Sequence, residues 1–196
     1  MTQLIFVIDP MCSWCWGFHP VIEELREKHS DEFQFSLVVG GLRTKGQMPW
    51  TDESKKYLAQ NWNAVAQQTK QPFNFSLLNK EVFDYDTYPA CKAIVTVREL
   101  WGDEATFKYL SNIQKAFYAK GEDTTSIETL LKYVEDEAKF LEFYESNRAE
   151  VLMKHDFAKA RSMGANSFPS VVKIDREGHM VCQKGYMTID KVLNPY

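Results

Sequence analysis

The stretches of this chain that can form strands stand at its two ends. Residues 4–8 (LIFVI) are an unbroken apolar run rich in branched side chains, the pattern of a strand buried on both faces. Asp9-Pro10 ends that run, and over 13–29 Val21, Ile22 and Leu25 recur on one side of a helical pattern with charges opposite. Phe33, Phe35 and Leu37 then alternate with polar residues and lead into Val38-Val39, a second strand that stops at Gly40-Gly41. Strand, helix, strand at this spacing describes a right-handed βαβ unit. Strand patterns return only at 170–174 (SVVKI) and 179–184 (HMVCQK), joined by the turn DREG and followed by a short helix at 189–193. Between them one helical pattern follows another: 51–68; 89–101, with Pro89 in its first turn and Gly102 past its end; 103–120 before Gly121; 125–136; and 138–163 before Gly164. Aromatic residues in these helices (Trp62, Tyr109, Phe117, Tyr133, Phe140, Phe143) are expected in the core. The order is βαβ, a helical insertion, then ββα. It predicts an α/β protein with 1–45 and 162–196 as one discontinuous unit and 46–161 as an inserted helical domain.

Bulk properties exclude several classes. A formal charge of −4, from 23 basic and 27 acidic residues, leaves no electrostatic footprint for nucleic acid. No apolar run approaches the ~18 residues of a membrane span. The N-terminus has neither a basic leader nor a small-residue cleavage site, so it does not resemble a secretory signal. Four cysteines in 196 residues are too few for a disulfide scaffold. A cytoplasmic protein is expected, with no membrane and no nucleic-acid partner.

Two of those cysteines, Cys12 and Cys15, lie three apart where the first strand gives way to the helix. The thiolate is the attacking species in disulfide exchange, and unpaired N–H groups with the positive dipole end at a helix N-terminus favour it at Cys12. One turn on, Cys15 reaches back to close a small ring. Cys12 is then the exposed nucleophile and Cys15 the shielded resolving thiol. A bare C-x-x-C is weak, because zinc knuckles share it; a pair between a buried strand and an amphipathic helix is considerably stronger.

The run Cys12-x-x-Cys15-x4-Pro20-Val-Ile-Glu-Glu-Leu resembles the active-site helix of the thioredoxin superfamily, which kinks at a proline eight positions after its first cysteine. Far downstream, Gly164-Ala-Asn-Ser-Phe168-Pro169-Ser170 is similar to the superfamily's cis-proline loop. The long helical stretch between them is the hallmark of the DsbA-like branch. Within it, Asp9-x-x-Cys12-x-Trp14-Cys15 and Gly40-Gly41-Leu42 resemble the FrnE-like cytoplasmic disulfide isomerases. The resemblance implies a thioredoxin-like fold and a thiol–disulfide oxidoreductase or disulfide isomerase with no cofactor. It implies that Pro169 lies in cis against the cysteine pair as part of the catalytic apparatus. The backbone at Phe168, with Ser13 and Trp14, would bind a disulfide- or dithiol-containing protein or peptide, or glutathione. Ser13-Trp14 replaces the Pro-His dipeptide of the strongly oxidising periplasmic DsbA. With no imidazole between the cysteines, and with Asp9 as a nearby group tuning the thiolate, a less oxidising pair is expected.

Two rivals accompany this reading. Kappa-class glutathione transferases and hydroxychromene-carboxylate isomerases resemble the chain in architecture, but they carry serine where Cys12 stands and lack the second cysteine. A non-catalytic module would hold the pair structurally or around a metal, with His19 and Cys91 or Cys182 as further ligands. No second paired half accompanies them, so no metal is assigned. Cys91 and Cys182 are expected as core residues, and His19 as packing near the kink. Trp14, Trp16 and Phe18 either line a substrate face or pack into the inserted helices. Arg43, Lys45 and the loop to Trp50 are expected to form a solvated connection.

Overall fold

The computed structural model describes residues 1–195. Strands β1 (Thr2–Ile8), β2 (Phe33–Val39), β3 (Ser170–Ile174) and β4 (Met180–Lys184) form one sheet in the order β2-β1-β3-β4. Strands β1 and β2 are parallel, with Ile8 opposite Val39; β3 runs antiparallel to β1, with Val171 opposite Phe6, and β4 antiparallel to β3. The apolar run of β1 serves both faces. Leu4, Phe6 and Ile8 enter the main core, while Ile5 and Val7 enter a smaller cluster with Val38, Ala160 and Met163.

Helix α1 (Ser13–Lys28) lies on the main-core face, where Phe18 meets Phe6 edge-on at 6.3 Å between ring centres. The regular elements of the middle of the chain are helical: α2 (Asp52–Thr69), a 3-10 turn (Phe75–Asn79), α3 (Tyr88–Lys115), a π-helical turn (Ala116–Lys120), α4 (Ile127–Leu131), α5 (Glu137–Tyr144) and α6 (Asn147–Ser162). Helix α7 (Ile189–Leu193) closes the chain.

Three helical expectations need correction. Residues 89–120 are one long helical run, and Gly102 marks a break inside it, at φ 82° and ψ −177°, rather than an end. The helix expected at 125–136 shrinks to α4, because Asp136 instead caps α5 by accepting the Lys139 N–H at 2.9 Å. The helix expected at 138–163 is two, separated where the Ser146 hydroxyl accepts the Ala149 N–H.

The sheet edge at β2 is covered by the helical stretch. Arg98 of α3 donates to the Leu37 carbonyl at 2.8 Å and forks onto Asp156 of α6 at 2.8 and 2.9 Å. Asp156 in turn accepts the Val39 N–H at 3.1 Å. Peptide groups that an edge strand leaves open are thereby satisfied by one buried ion pair.

Candidate active site

The turn from β1 into α1 is built around the Asp9 carboxyl. Pro10 takes the second place of the turn that the Cys12 N–H closes onto the Asp9 carbonyl at 3.1 Å. One Asp9 carboxyl oxygen accepts the Met11 N–H at 2.8 Å, and the other accepts the Leu42 N–H at 2.7 Å and the Cys91 thiol at 3.5 Å. Asp9 is fully buried. Burial pushes its pKa above the ordinary 3.8, and the Leu42 and Met11 N–H groups pull the other way.

Cys12 is the N-cap of α1 in extended conformation, and its carbonyl accepts the Trp16 N–H at 3.0 Å, so the first amides of α1 open beside its sulfur. Its thiol donates to the Phe168 carbonyl at 3.5 Å. The Phe168–Pro169 peptide bond is cis and Pro169 is buried. Cys12 is itself only 6% exposed, which corrects the expectation of an exposed thiol and leaves its sulfur reachable only through the cleft that it lines. Cys15 is fully buried one turn further in. Burial raises the Cys15 pKa well above its ordinary value, and the neighbouring Cys12 adds to the rise. All four cysteines are free thiols. The structure thus brings Asp9, Cys12, Cys15, Phe168 and Pro169 together, with Ser13 and Trp14 on the rim.

The glycine pair after β2 has a steric cause. A Cβ on Gly40 would overlap the Phe168 ring, and one on Gly41 would stand 2.7 Å from the Phe157 ring at a positive φ of 70°. Leu42 follows at once with its bond to Asp9. Gly40-Gly41-Leu42 therefore seats the Phe168 ring and anchors Asp9 in three consecutive residues.

Helix α1 is held from the other side by the helical stretch. Pro20 has no N–H, so the Trp16 carbonyl loses its helical donor; Gln71 Nε2 supplies one at 3.0 Å. Trp16 Nε1 donates to the Pro72 carbonyl at 3.0 Å, and its ring stacks on Tyr118 at 6.3 Å. Tyr85 donates its hydroxyl to the carbonyl of Met11, the residue before Cys12, at 2.8 Å. Trp16 and Phe18 are thus core residues, whereas Trp14 faces the surface site.

Cys12, Ser13, Trp14 and Phe168 open onto a cleft of about 310 Å³ whose opposite wall is Tyr57, Leu58, Asn61 and Trp62 of α2, with Tyr85. Arg43 also lines this cleft, which corrects the expectation of a purely solvated connection. Trp50 packs edge-on against Phe83 at 5.1 Å and is likewise not free in solvent. The helical periodicity of 51–68 carried no sign that its exposed edge would face a cysteine. His19 is buried, with Nε2 3.0 Å from Glu23, and desolvation lowers its pKa. Cys91 is buried as expected, but it serves Asp9; Cys182 is half-exposed rather than core. Among the described residues, the side chains that converge as metal ligands are Asp175, Glu177 and His179 in the exposed β3–β4 turn, away from the cysteine pair.

A dithiol at a helix N-terminus, set against a cis-proline loop on a four-stranded sheet, defines the class: a thioredoxin-like fold of the DsbA type with a large helical component, the scaffold of thiol–disulfide oxidoreductases. The thioredoxin family model matches residues 5–190, and the chain belongs to that family. Among solved structures it is similar to a candidate protein disulfide isomerase from Nitrosomonas europaea, at 32% identity over 97% of this chain and 93% of that one, with a TM-score of 0.87. The cytosolic disulfide reductase DsbM from Pseudomonas aeruginosa follows at 23% identity over 93% and 89%, TM-score 0.77, and has also been solved with GSH. The ClpXP adapter protein SpxH of Halalkalibacterium halodurans is 20% identical over 90% of this chain, which spans only 61% of that relative's length. No helix is long and apolar enough to cross a membrane among the described residues.

Proposed function

We propose that this chain is a cytoplasmic thiol–disulfide oxidoreductase working as a reductase or isomerase, with Cys12 as nucleophile and Cys15 as resolving thiol. One observation carries the reading: Cys12 faces the cleft at the start of α1 with its sulfur 3.5 Å from the Phe168 carbonyl, while Cys15 is buried one turn behind. Cys12 thiolate attacks a substrate disulfide, forms a mixed disulfide and expels one substrate thiolate. Cys15, on losing its proton, attacks the Cys12 sulfur, closes the Cys12–Cys15 disulfide and expels the second. The substrate gains two electrons and the protein loses them. Asp9, buried beneath the turn, tunes the pair through its charge. Phe168 and Pro169 position the substrate chain, with Ser13 and Trp14 flanking it. The sheet-bearing segments 1–45 and 162–196 carry this chemistry, and 46–161 supplies the far wall of the cleft. Substrates are disulfide- or dithiol-containing proteins or peptides, or glutathione.

Equilibration across glutathione redox buffers, with thiol trapping of the Cys12–Cys15 disulfide, tests the reading. A reversible two-electron transition is expected, and Cys15→Ser should accumulate the mixed disulfide. A potential near ~−270 mV would mark a reductase, and one of ~−180 mV an isomerase. Undiminished exchange in Cys12→Ser would sink the mechanism. Absence of any disulfide at every poise would favour a non-catalytic role such as that named for the adapter relatives.

A further inference from the structure

Among the described residues, the cleft beside Cys12 is lined by one cationic side chain, Arg43, and by no carboxylate. In a chain whose formal charge is −4, that is a local reversal of sign, reinforced by the N-terminal end of α1. The Arg43 backbone is clamped. Its N–H donates to the Thr87 hydroxyl at 3.2 Å, its carbonyl accepts the Thr87 N–H at 2.6 Å, and the preceding Leu42 N–H is bound to Asp9. The guanidinium is half-buried over the Tyr85 ring, 5.1 Å from its centre. Arg26, Arg98 and Arg148 each pair with a carboxylate; among the described residues no carboxylate lies within salt-bridge distance of Arg43. A pre-positioned, stacked and unpaired guanidinium in a cleft of about 310 Å³ is suited to a small anion presented in a fixed orientation.

We propose that Arg43 is a specificity-determining residue that binds the carboxylate of a small disulfide substrate and so presents its sulfur to Cys12. The inference rests on the oxidoreductase reading above. Asn61 of α2 and Asn166 and Ser167 of the proline loop line the same cleft and offer further polar contacts to such a ligand. The step is balanced as before: Cys12 thiolate bonds to one substrate sulfur, the substrate S–S bond breaks, and the carboxylate-bearing thiolate leaves. Closure of Cys12–Cys15 releases the second half, so one disulfide becomes two thiols while the protein is oxidised by two electrons.

The test is single-turnover oxidation of the reduced full chain, followed by thiol trapping. The oxidants are oxidised glutathione, which carries carboxylates, and bis(2-hydroxyethyl) disulfide, which carries no charge. The readout is the ratio of the two second-order rate constants. Arg43→Gln should lower that ratio about tenfold, the scale of one charged hydrogen bond, and Arg43→Lys should retain part of it. An unchanged ratio in Arg43→Gln, or equal loss on both oxidants, overturns the assignment while leaving the redox reading intact. Failure of the native chain to react with either disulfide removes that reading and this one with it.

Discussion

The sheet and the helical stretch hold the same helix, α1, by different means. On the sheet side the grip is backbone and steric: a buried carboxyl collects the Met11 and Leu42 N–H groups, and the Phe168 ring fills the space that Gly40 leaves. Only a short carboxylate fits the first role and only glycine the second. On the helical side the grip is a set of long side chains reaching backbone carbonyls, Gln71 to Trp16 and Tyr85 to Met11, inside an aromatic cluster that includes Tyr118 and Trp62. Other residue types could make those reaches. The sheet side thus dictates chemistry with little sequence freedom, and the helical side shapes the cleft with much more.

The largest expected effect lies where the two regions join. Asp156→Ala would leave Arg98 and the Val39 N–H without their partner at a side chain only 4% exposed. Removing one member of a buried pair costs about 3 kcal/mol at the low end of the usual range. Urea denaturation should show that loss with the redox potential of the cysteine pair unmoved; a shifted potential would mean that the edge of β2 is coupled to the site. Next comes Gly40→Ala. Its φ is ordinary, so the penalty is purely steric, and overpacking of this kind costs ~1–3 kcal/mol. Because the displaced group is the Phe168 ring, exchange through Cys12 should slow as well. Loss of stability with unchanged exchange kinetics would show that the ring is packing alone.

This difference also explains what could be seen from the residues. Strand β1, the helix after it, the cysteine pair and the Pro169 loop are legible because backbone conformation restricts which residues occupy them. The break between α5 and α6 has a local signal as well, since Ser146 is an ordinary N-cap residue set inside a long helical periodicity. Arg43, Gln71 and Tyr85 are not legible, because nothing local ties them to the cysteines. They meet the site only through tertiary packing across 31, 55 and 74 positions of sequence, with Arg43 measured to Cys12, Gln71 to Trp16 and Tyr85 to Met11. Amphipathic periodicity shows that a helix has a buried face but not which neighbour it meets. Asp156 and Arg98 share this obscurity, 58 residues apart on two helices.

A smaller effect tests the helical grip directly. Gln71→Ala should cost about 1 kcal/mol by leaving the Trp16 carbonyl without a donor. Pro20→Ala restores a helical N–H to that same carbonyl, so the Gln71→Ala penalty should shrink in a Pro20→Ala background. A double-mutant cycle measures the coupling. Strict additivity would show that Gln71 acts elsewhere.

The smallest expected effect concerns the sheet grip, and its sign is fixed by burial. Asp9 has a folded-state pKa raised above the ordinary 3.8 by desolvation, so the native state keeps its proton to higher pH than the unfolded chain. Between those two values the native state binds more protons, and the carboxyl makes the protein less stable as pH rises. Asp9→Asn removes that slope. Whatever constant penalty the amide brings by accepting fewer N–H groups, the stability of Asp9→Asn relative to the native chain should improve as pH rises above the ordinary 3.8 and level off once the native carboxyl has lost its proton. Titration of His19, which is common to both proteins, cancels in the difference, and Cys15 and Cys91 titrate far above this window. A relative stability that stays flat with pH would mean that the amides of Met11 and Leu42 compensate the burial of the charge, and that Asp9 holds the turn without tuning the pair above it.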